Sequence, residues 1–343
     1  MKGLGVNKKK LLFKGSELIL SEINLYSTGL PASVLEFLQT YFNDSDFIEI
    51  ETSGSTGTPK KIRLTKAMLK ASAKATLQFL NIQLGQKAWA CLPTNKVGGL
   101  MMLVRWVEGE LDLHWEEPSS KPLQGLDQKI SLAALTPQQA FNCLDKLHFI
   151  DKLILGGGPI SLELDQELQK VEGAVYHSYG MTETVSHIAL RRINGDKASD
   201  CFKALPEVRF SINEKDCLQI DANHLGIKSL QTNDVVALQN DTRFKWLGRL
   251  DNVVNSGGVK LFPEKIEEAI GTLPLPYFVM GIPDPVLGEK LILVVESTSA
   301  ISKEEWQQYW QHLPKLQQPK ACFTRAVFCY TETGKLKRKE SWV

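Results

Sequence analysis

The chain has 343 residues, a formal net charge of +1, 43% hydrophobic residues and 23% charged residues. That length supplies core for two domains, and the near-neutral balance gives no bulk field to attract nucleic acid or an anionic membrane. No apolar run approaches a membrane span, and Met1-Lys2-Gly3-Leu4-Gly5-Val6-Asn7 lacks the apolar core of a signal peptide, so a cytoplasmic enzyme without membrane insertion is expected.

Lys8-Lys9-Lys10 reads as a solvated terminus. Phe47 to Glu51 reads as a strand, and a helical pattern begins near Lys66. Between them lies Thr52-Ser53-Gly54-Ser55-Thr56-Gly57-Thr58-Pro59-Lys60, dense in hydroxyls and closed by a lysine. Glycines admit backbone N–H groups close to phosphate oxygens, hydroxyls donate further hydrogen bonds, and lysine offsets charge. The same composition also suits a polar surface turn. Ala88 to Leu92 reads as a buried strand and Gly99 to Val107 as an apolar helix. Ile130 to Leu135 is a further strand, with Pro137 at a helix start. Lys152 to Leu155 is a strand running into Gly156-Gly157-Gly158-Pro159, and a helix follows from Ser161. Ala174 to Ser178 is a strand, followed by Tyr179-Gly180-Met181-Thr182-Glu183-Thr184 as a loop. The rhythm predicts a layered α/β architecture with a largely parallel sheet.

From about Glu207 to Leu247 short alternating strands predict a β-rich subdomain. A boundary near Gly248-Arg249-Leu250-Asp251 divides the chain into a large domain, 1–250, and a small mobile α+β domain, 251–343. The small unit holds a turn at Ser256-Gly257-Gly258, a helix from Pro263, strands at Phe278–Gly281 and Leu291–Glu296, a helix from Ser302 to about Leu313, and a basic tail. The cysteines at 91, 143, 201, 217, 322 and 329 form no C-x-x-C pair and read as buried thiols of a reducing compartment, and the histidines show no metal-ligand spacing.

Ligands of open α/β sheets bind beyond strand ends. Three polar clusters follow predicted strands: Thr52–Lys60, Gly156–Pro159 and Tyr179–Thr184. Tyr179 offers a face for a base and Glu183 a carboxylate for Mg²⁺ near phosphates; packing and surface exposure are the plainer readings. Asp234, in Gln231-Thr232-Asn233-Asp234, either accepts from ribose hydroxyls or forms a turn. Arg249 backs the same ribose or pairs on the surface. Gly334-Lys335-Leu336-Lys337-Arg338-Lys339 is either a solvated tail or a source of a cation at a phosphate.

Taken in order, Thr52–Lys60, Tyr179–Thr184, Thr232–Asp234, Gly248–Asn252 with Ser256-Gly257-Gly258, and Gly334–Arg338 resemble the adenylate-forming superfamily of acyl-CoA synthetases, adenylation domains and luciferases. The resemblance implies ATP, Mg²⁺ and coenzyme A as co-substrates. It assigns the Thr52–Lys60 loop (Thr52, Ser53, Gly54, Ser55, Thr56, Gly57, Thr58, Lys60) to the β- and γ-phosphates of ATP. Gly156, Gly157, Gly158, Pro159, Tyr179 and Gly180 bound the adenine, and Thr182 meets the α-phosphate. Glu183 holds Mg²⁺, Asp234 and Arg249 the ribose. Asp251 is the hinge, and Lys335 bridges substrate carboxylate and α-phosphate. Ser256, Gly257 and Gly258 line the coenzyme A channel. Two departures stand out. Only residues 1–51 precede Thr52, which implies a trimmed N-terminal part. Leu92-Pro93-Thr94-Asn95-Lys96-Val97-Gly98-Gly99 carries Lys96 where the family has histidine, so Lys96 is read as a cation near the acyl or thiol channel. Asn233 also replaces a glycine.

Arg105 bears on the acid. A guanidinium in Leu100-Met101-Met102-Leu103-Val104-Arg105-Trp106-Val107 should seek a carboxylate. Glu108, or snorkelling to water, is one answer; a second carboxylate on the substrate is the other. Thr136 and Gln139 are expected to wall an aromatic pocket. The short chain, the Met-Met-x-x-Arg helix and Leu316-Gln317-Gln318-Pro319 resemble o-succinylbenzoate–CoA ligases of menaquinone synthesis, which implies an aromatic dicarboxylic acid held by Arg105. Another aryl or short-chain acyl-CoA synthetase, a carrier-loading adenylation domain and a non-catalytic adenylate or CoA sensor remain alternatives.

Overall fold

Ala88-Trp89-Ala90, Leu132-Ala133-Ala134-Leu135 and Leu153-Ile154-Leu155 are short apolar runs because both faces of their sheet are covered. Ala88, Ala90, Leu132, Ala134 and Ile154 join one core. Trp89, Ala133, Leu135, Leu153 and Leu155 join the other. Successive side chains alternate between faces, so a strand buried on both sides is apolar throughout.

The structure, a computed structural model, describes residues 10–20, 29–52, 60–330 and 336–342. The first elements are β1 (Lys10–Phe13), β2 (Ser16–Ile19), α1 (Ala32–Phe42), β3 (Phe47–Thr52), β4 (Lys60–Thr65), α2 (Lys66–Leu80), β5 (Lys87–Ala90), α3 (Val97–Gly109), β6 (Asp112–Trp115) and β7 (Leu132–Leu135). Next come α4 (Pro137–Asn142), β8 (Lys152–Leu155), α5 (Leu162–Leu168), β9 (Ala174–Gly180), β10 (His187–Arg192), β11 (Phe202–Ala204), β12 (Val208–Ile212), β13 (Cys217–Ala222), β14 (Ile227–Asn240) and β15 (Arg243–Arg249). The rest are β16 (Val254–Ser256), β17 (Val259–Leu261), α6 (Pro263–Ile270), β18 (Tyr277–Asp284), β19 (Gly288–Glu296), α7 (Lys303–Trp306), β20 (Ala321–Arg325) and α8 (Arg338–Trp342).

One 13-stranded sheet runs β12-β13-β14-β15-β11-β10-β9-β8-β7-β5-β6-β1-β2. From β9 to β1 the pairs are parallel, whereas from β9 to β12 they are antiparallel. The expected layered α/β fold is present, with the β-rich segment at one end of the large sheet. Its strands extend the same sheet, because β10 returns directly alongside β9. Helices α1, α2 and α3 bury Val34, Leu69, Leu77 and Val104 in the first core, while α4 and α5 add Ala140, Leu164 and Leu168 to the second.

The run at Phe47 is the expected strand, but its pairing lies elsewhere. β3 stands outside the large sheet and pairs antiparallel with β4 from Phe47↔Thr65 to Thr52↔Lys60. Lys60 is therefore the first residue of a strand. The alternation of Ile62 and Leu64 with Lys61, Arg63 and Thr65 is the period-two signal for it. Thr65 then caps α2, its side chain accepting from the Met68 backbone N–H at 3.2 Å.

A second, five-stranded sheet runs β17-β16-β19-β18, with β20 parallel to β19. It has its own core, built from Val254, Ile266, Val279, Leu293, Trp306 and Trp310 on one side and Phe278, Ile292, Val294 and Phe328 on the other. The helix expected from Ser302 to Leu313 is shorter: α7 tightens into a 3₁₀ turn at Gln307–Tyr309 that buries Trp306 and Trp310. Among the described residues no helix is long and apolar enough to cross a membrane.

Candidate functional site

Tyr179 and Gly180 close strand β9 instead of lying on a loop. The pairing β14–β15 sets Asp234 opposite Arg249, and both face Tyr179. The Tyr179 hydroxyl donates to Asp234 Oδ2 at 2.7 Å, and Trp246 Nε1 donates to Asp234 Oδ1 at 3.1 Å. Arg249 Nη1 lies 3.5 Å from the same Oδ1. Burial, with the charge of Asp234 and its hydrogen bond, pushes the tyrosine hydroxyl far above its ordinary pKa, so it stays a donor. A carboxylate has about four lone-pair sites; with Tyr179, Trp246 and Arg249 on it, Asp234 retains acceptor capacity for one further hydroxyl. The Tyr179 ring packs edge-on to Phe244, centroids 5.0 Å apart. Trp246 was not legible as a site residue in the sequence.

The glycine segment Gly156–Pro159 leaves β8 beside β9, where Leu155 pairs with His177. His177 Nε2 sits 3.2 Å from the Gly158 carbonyl. Burial, and then the Arg191 charge, lowers its pKa to about 4, so the ring is neutral and donates from Nε2. Ser178 Oγ donates to the Leu155 carbonyl at 2.9 Å. These two unforeseen side chains tie the glycine segment to the strand that carries Tyr179.

Thr182, Glu183 and Thr184 form a 3₁₀ turn. Val185 follows at φ 67° and ψ −49°, and the Ser186 N–H donates to the Thr184 carbonyl at 2.7 Å. A β-branched residue at the centre of such a γ-turn carries about 1–3 kcal/mol of strain. Its surroundings hold it there: Val185 is fully buried, and Thr184 Oγ1 donates to the Ser186 carbonyl at 2.7 Å. Gly180 allows this close fold, since a Cβ there would lie 2.2 Å from the Ser186 carbonyl oxygen. The turn presents Glu183 outward. Its carboxylate is exposed and has no partner among the described residues.

Arg105 is 2% exposed on α3. Neither simple expectation for it holds. It does not reach water, and Glu108 is engaged elsewhere, accepting from Tyr41 at 3.1 Å and lying 3.3 Å from Lys70. Arg105 Nη2 donates to Thr76 Oγ1 at 3.4 Å and Nη1 to Met102 Sδ at 3.7 Å, while Nε has no partner among the described residues. Burial lowers its pKa to about 9, so it is a cation at neutral pH. Thr76 Oγ1 donates to the Ser72 carbonyl at 3.1 Å and lies 3.0 Å from His187 Nε2. His187 is the register partner of Gly180, which places this cluster directly beside the Tyr179–Thr184 segment.

Other expected residues fall differently. Thr136 and Gln139 form the capping box of α4: the Gln139 N–H donates to Thr136 Oγ1 at 3.1 Å, and the Thr136 N–H to Gln139 Oε1 at 3.0 Å. Gln139 Nε2 donates to the Ser119 carbonyl at 2.8 Å. The Gln139 amide is thus committed to local structure. Lys96 is exposed at the start of α3 and borders a cleft of about 250 Å³ with Glu36, Glu49, Asn95 and Leu100. That cleft is not the Arg105 cluster, which faces α2. Gly257 and Gly258, at φ 57° and 81°, make the two-residue turn between β16 and β17, a shape that needs positive φ at both positions. Ser256 is buried beneath it. Asp251 accepts a hydrogen bond from Asn233 Nδ2. Residues 53–59 and Lys335 lie outside the described residues, and of Thr52 and Lys60 only the backbone pairing is described. Among the described residues no cluster of three metal-binding side chains occurs.

Residues 50–246 match the family model described as AMP-binding enzyme. A curated relative, 2-succinylbenzoate–CoA ligase of Lactococcus lactis, is 26% identical over 322 residues, covering 85% of this chain and 69% of the relative. The enzyme of the same name from Escherichia coli is 26% identical over 289 residues, covering 78% of this chain and 62% of the relative. A solved structure of an AMP-forming acyl-CoA synthetase-like protein from Dyadobacter fermentans is 33% identical, with TM-score 0.62, covering 91% of this chain and 93% of that one. The o-succinylbenzoate coenzyme A synthetase of Bacillus subtilis, solved with ATP and magnesium, shares the fold at 21% identity and TM-score 0.71, covering 86% of this chain and 69% of that one.

Proposed function

The chain belongs to the AMP-binding enzyme family, and on that premise we propose that it joins a carboxylic acid to coenzyme A through an acyl-adenylate, the acid being o-succinylbenzoate. The names of the two bacterial relatives support that acid. The observation that carries it is Arg105, a buried guanidinium with an unpaired Nε next to the adenine-side strand. An unpaired buried cation is costly, and a second carboxylate on the substrate would relieve it.

A carboxylate is a poor acyl donor. Attack of one carboxylate oxygen on the α-phosphorus of ATP releases pyrophosphate and leaves the acyl group on AMP. Attack of the coenzyme A thiol on the acyl carbon then expels AMP, with loss of the thiol proton. Tyr179 and Asp234 hold the nucleoside, with Arg249 alongside and Gly156–Pro159 as the neighbouring wall. The Thr52–Lys60 loop takes the β- and γ-phosphates and Thr182 the α-phosphate. Magnesium, when bound, neutralises phosphate charge, and Glu183, with its free exposed carboxylate, is the residue to hold it. Lys335 joins substrate carboxylate and α-phosphate in the first step. For the second step the unit 251–343 turns about Asp251, bringing Ser256-Gly257-Gly258 to the thiol path. Both substrates, ATP and coenzyme A, place the reaction in the cytoplasm.

The test is a panel of acids given with ATP, Mg²⁺ and coenzyme A, reading AMP release and thioester mass. Thioester from o-succinylbenzoate, and little from benzoate or a fatty acid, is expected. Equal turnover of benzoate would reject the dicarboxylate, and no AMP from any acid would reject catalysis.

A further inference from the structure

The Arg105 guanidinium does not stand alone in the core. Three elements far apart in sequence converge on it: α3 supplies Arg105, α2 supplies Thr76 and β10 supplies His187. Thr76 Oγ1 is the shared atom. It has one proton and two lone pairs. With the proton on the Ser72 carbonyl, Oγ1 accepts from both Arg105 Nη2 and His187 Nε2. His187 is then the neutral Nε2–H tautomer. Burial, followed by the Arg105 charge, keeps the ring from taking a second proton.

Two polar atoms in this cluster have no partner among the described residues, Arg105 Nε and Ser72 Oγ, which is one turn before Thr76 on the same face of α2. The large majority of buried side-chain polar atoms in native structures are paired. The cluster therefore has the character of a site awaiting an acceptor, and Nε is the donor left for it.

We propose that Thr76 and His187 are positioning residues for acid recognition: together they hold one arm of the Arg105 guanidinium so that Nε is left to the remote carboxylate of the substrate. This rests on the reading of Arg105 given above. Without Thr76 Oγ1 the Nη2 arm has no oxygen acceptor among the described residues, and the planar group is free to turn. His187 adds the link to Gly180, which ties guanidinium orientation to the strand bearing Tyr179. Neither residue touches the reacting atoms in this scheme.

The experiment compares Thr76→Val, Thr76→Ser, His187→Gln and Arg105→Ala in the full chain, measuring KM and kcat for o-succinylbenzoate, KM for ATP and melting temperature. A hydrogen bond to a charged group is worth about tenfold or more in affinity. Thr76→Val should raise the KM for the dicarboxylate by about that factor, with kcat and the KM for ATP changed far less. Thr76→Ser, which keeps the hydroxyl, should restore it, and His187→Gln should fall between. A purely structural role would lower melting temperature and affect all parameters together. If Thr76→Val does not fold, the pair Thr76→Ser and His187→Gln decides: a raised KM for His187→Gln alone supports the proposal, and no change in either overturns it. A raised KM for Arg105→Ala with a normal one for Thr76→Val rejects the positioning role and leaves the Arg105 reading standing. An unchanged KM for Arg105→Ala rejects both.

Discussion

Two arginines, one buried and one half-buried, behave oppositely. Arg338, at the start of α8, forms a bidentate pair with Glu267 of α6, with Nη2 to Oε2 at 2.7 Å, and donates from Nη1 to the Val279 carbonyl at 2.8 Å. Burial works against its charge, but the hydrogen bonds and charge of Glu267 outweigh it and hold the guanidinium above its ordinary pKa. Arg105 has no carboxylate among the described residues, and burial alone pulls it down to about 9. Arg105 lies among apolar side chains of the first core, and Arg338 lies over the Phe278 ring. A guanidinium with its partner built into the fold secures structure, here the second sheet against the segment that follows Lys335. One whose partner is left out is a cost the fold carries, and a ligand can relieve it.

The largest expected effect breaks the paired case. Glu267→Gln leaves Arg338 without its counter-charge and should lower stability by about 3–5 kcal/mol, read from urea unfolding. A loss below ~1 kcal/mol would mean that the pair behaves like a surface one. Close behind comes the lysine that the Arg338 segment carries. Lys335→Ala should slow acid-dependent ATP–pyrophosphate exchange ~10²–10³-fold while sparing thioester formation from a supplied acyl-adenylate. Equal loss in both half-reactions would reject its role in the first.

The unpaired case should respond in the other direction. Arg105→Met exchanges a stranded cation for an apolar side chain and should stabilise the chain by about 1–4 kcal/mol, while raising the KM for the dicarboxylate and leaving that for ATP. Lower stability would show that Arg105 has a structural partner after all. The smallest effect concerns pH. His177 titrates near 4 when folded against 6.5 ordinarily, and His187 is shifted the same way. Between those values the unfolded chain takes up protons that the folded chain refuses, so stability is full above 6.5 and falls as pH drops through the window. Each such group contributes at most about 1.4 kcal/mol per pH unit. His187→Gln should flatten the fall between pH 6.5 and 5 by about one proton's worth; an unchanged slope would mean that the ring is already charged beside Arg105.

Much of this was legible in the chain. The apolar runs at Ala88, Leu132 and Leu153 announced covered strands, and Pro137, Ser161 and Pro263 marked helix starts, because these signals are local. Lys60–Thr65 was missed as a strand because its charged residues masked the alternation of Ile62 and Leu64. That the β-rich segment shares the large sheet was not legible, because sequence shows strands and not their neighbours. Gln139 read as a pocket wall, and Thr136-Pro137-Gln138-Gln139 also spelled a capping box.

The sequence by itself determined the class of chemistry. The hydroxyl loop, the Tyr179–Thr184 segment and the ordered motifs around Asp234, Gly257 and Lys335 are local patterns whose spacing survives without a structure. It also showed Arg105 as an anomaly in an apolar helix. Only the tertiary structure decided what surrounds that anomaly. Thr76 lies 29 positions away and His187 lies 111 from Thr76. Their meeting depends on α2 packing on α3 and on β10 folding back beside β9, and no periodicity along the chain encodes a contact between side chains so far apart.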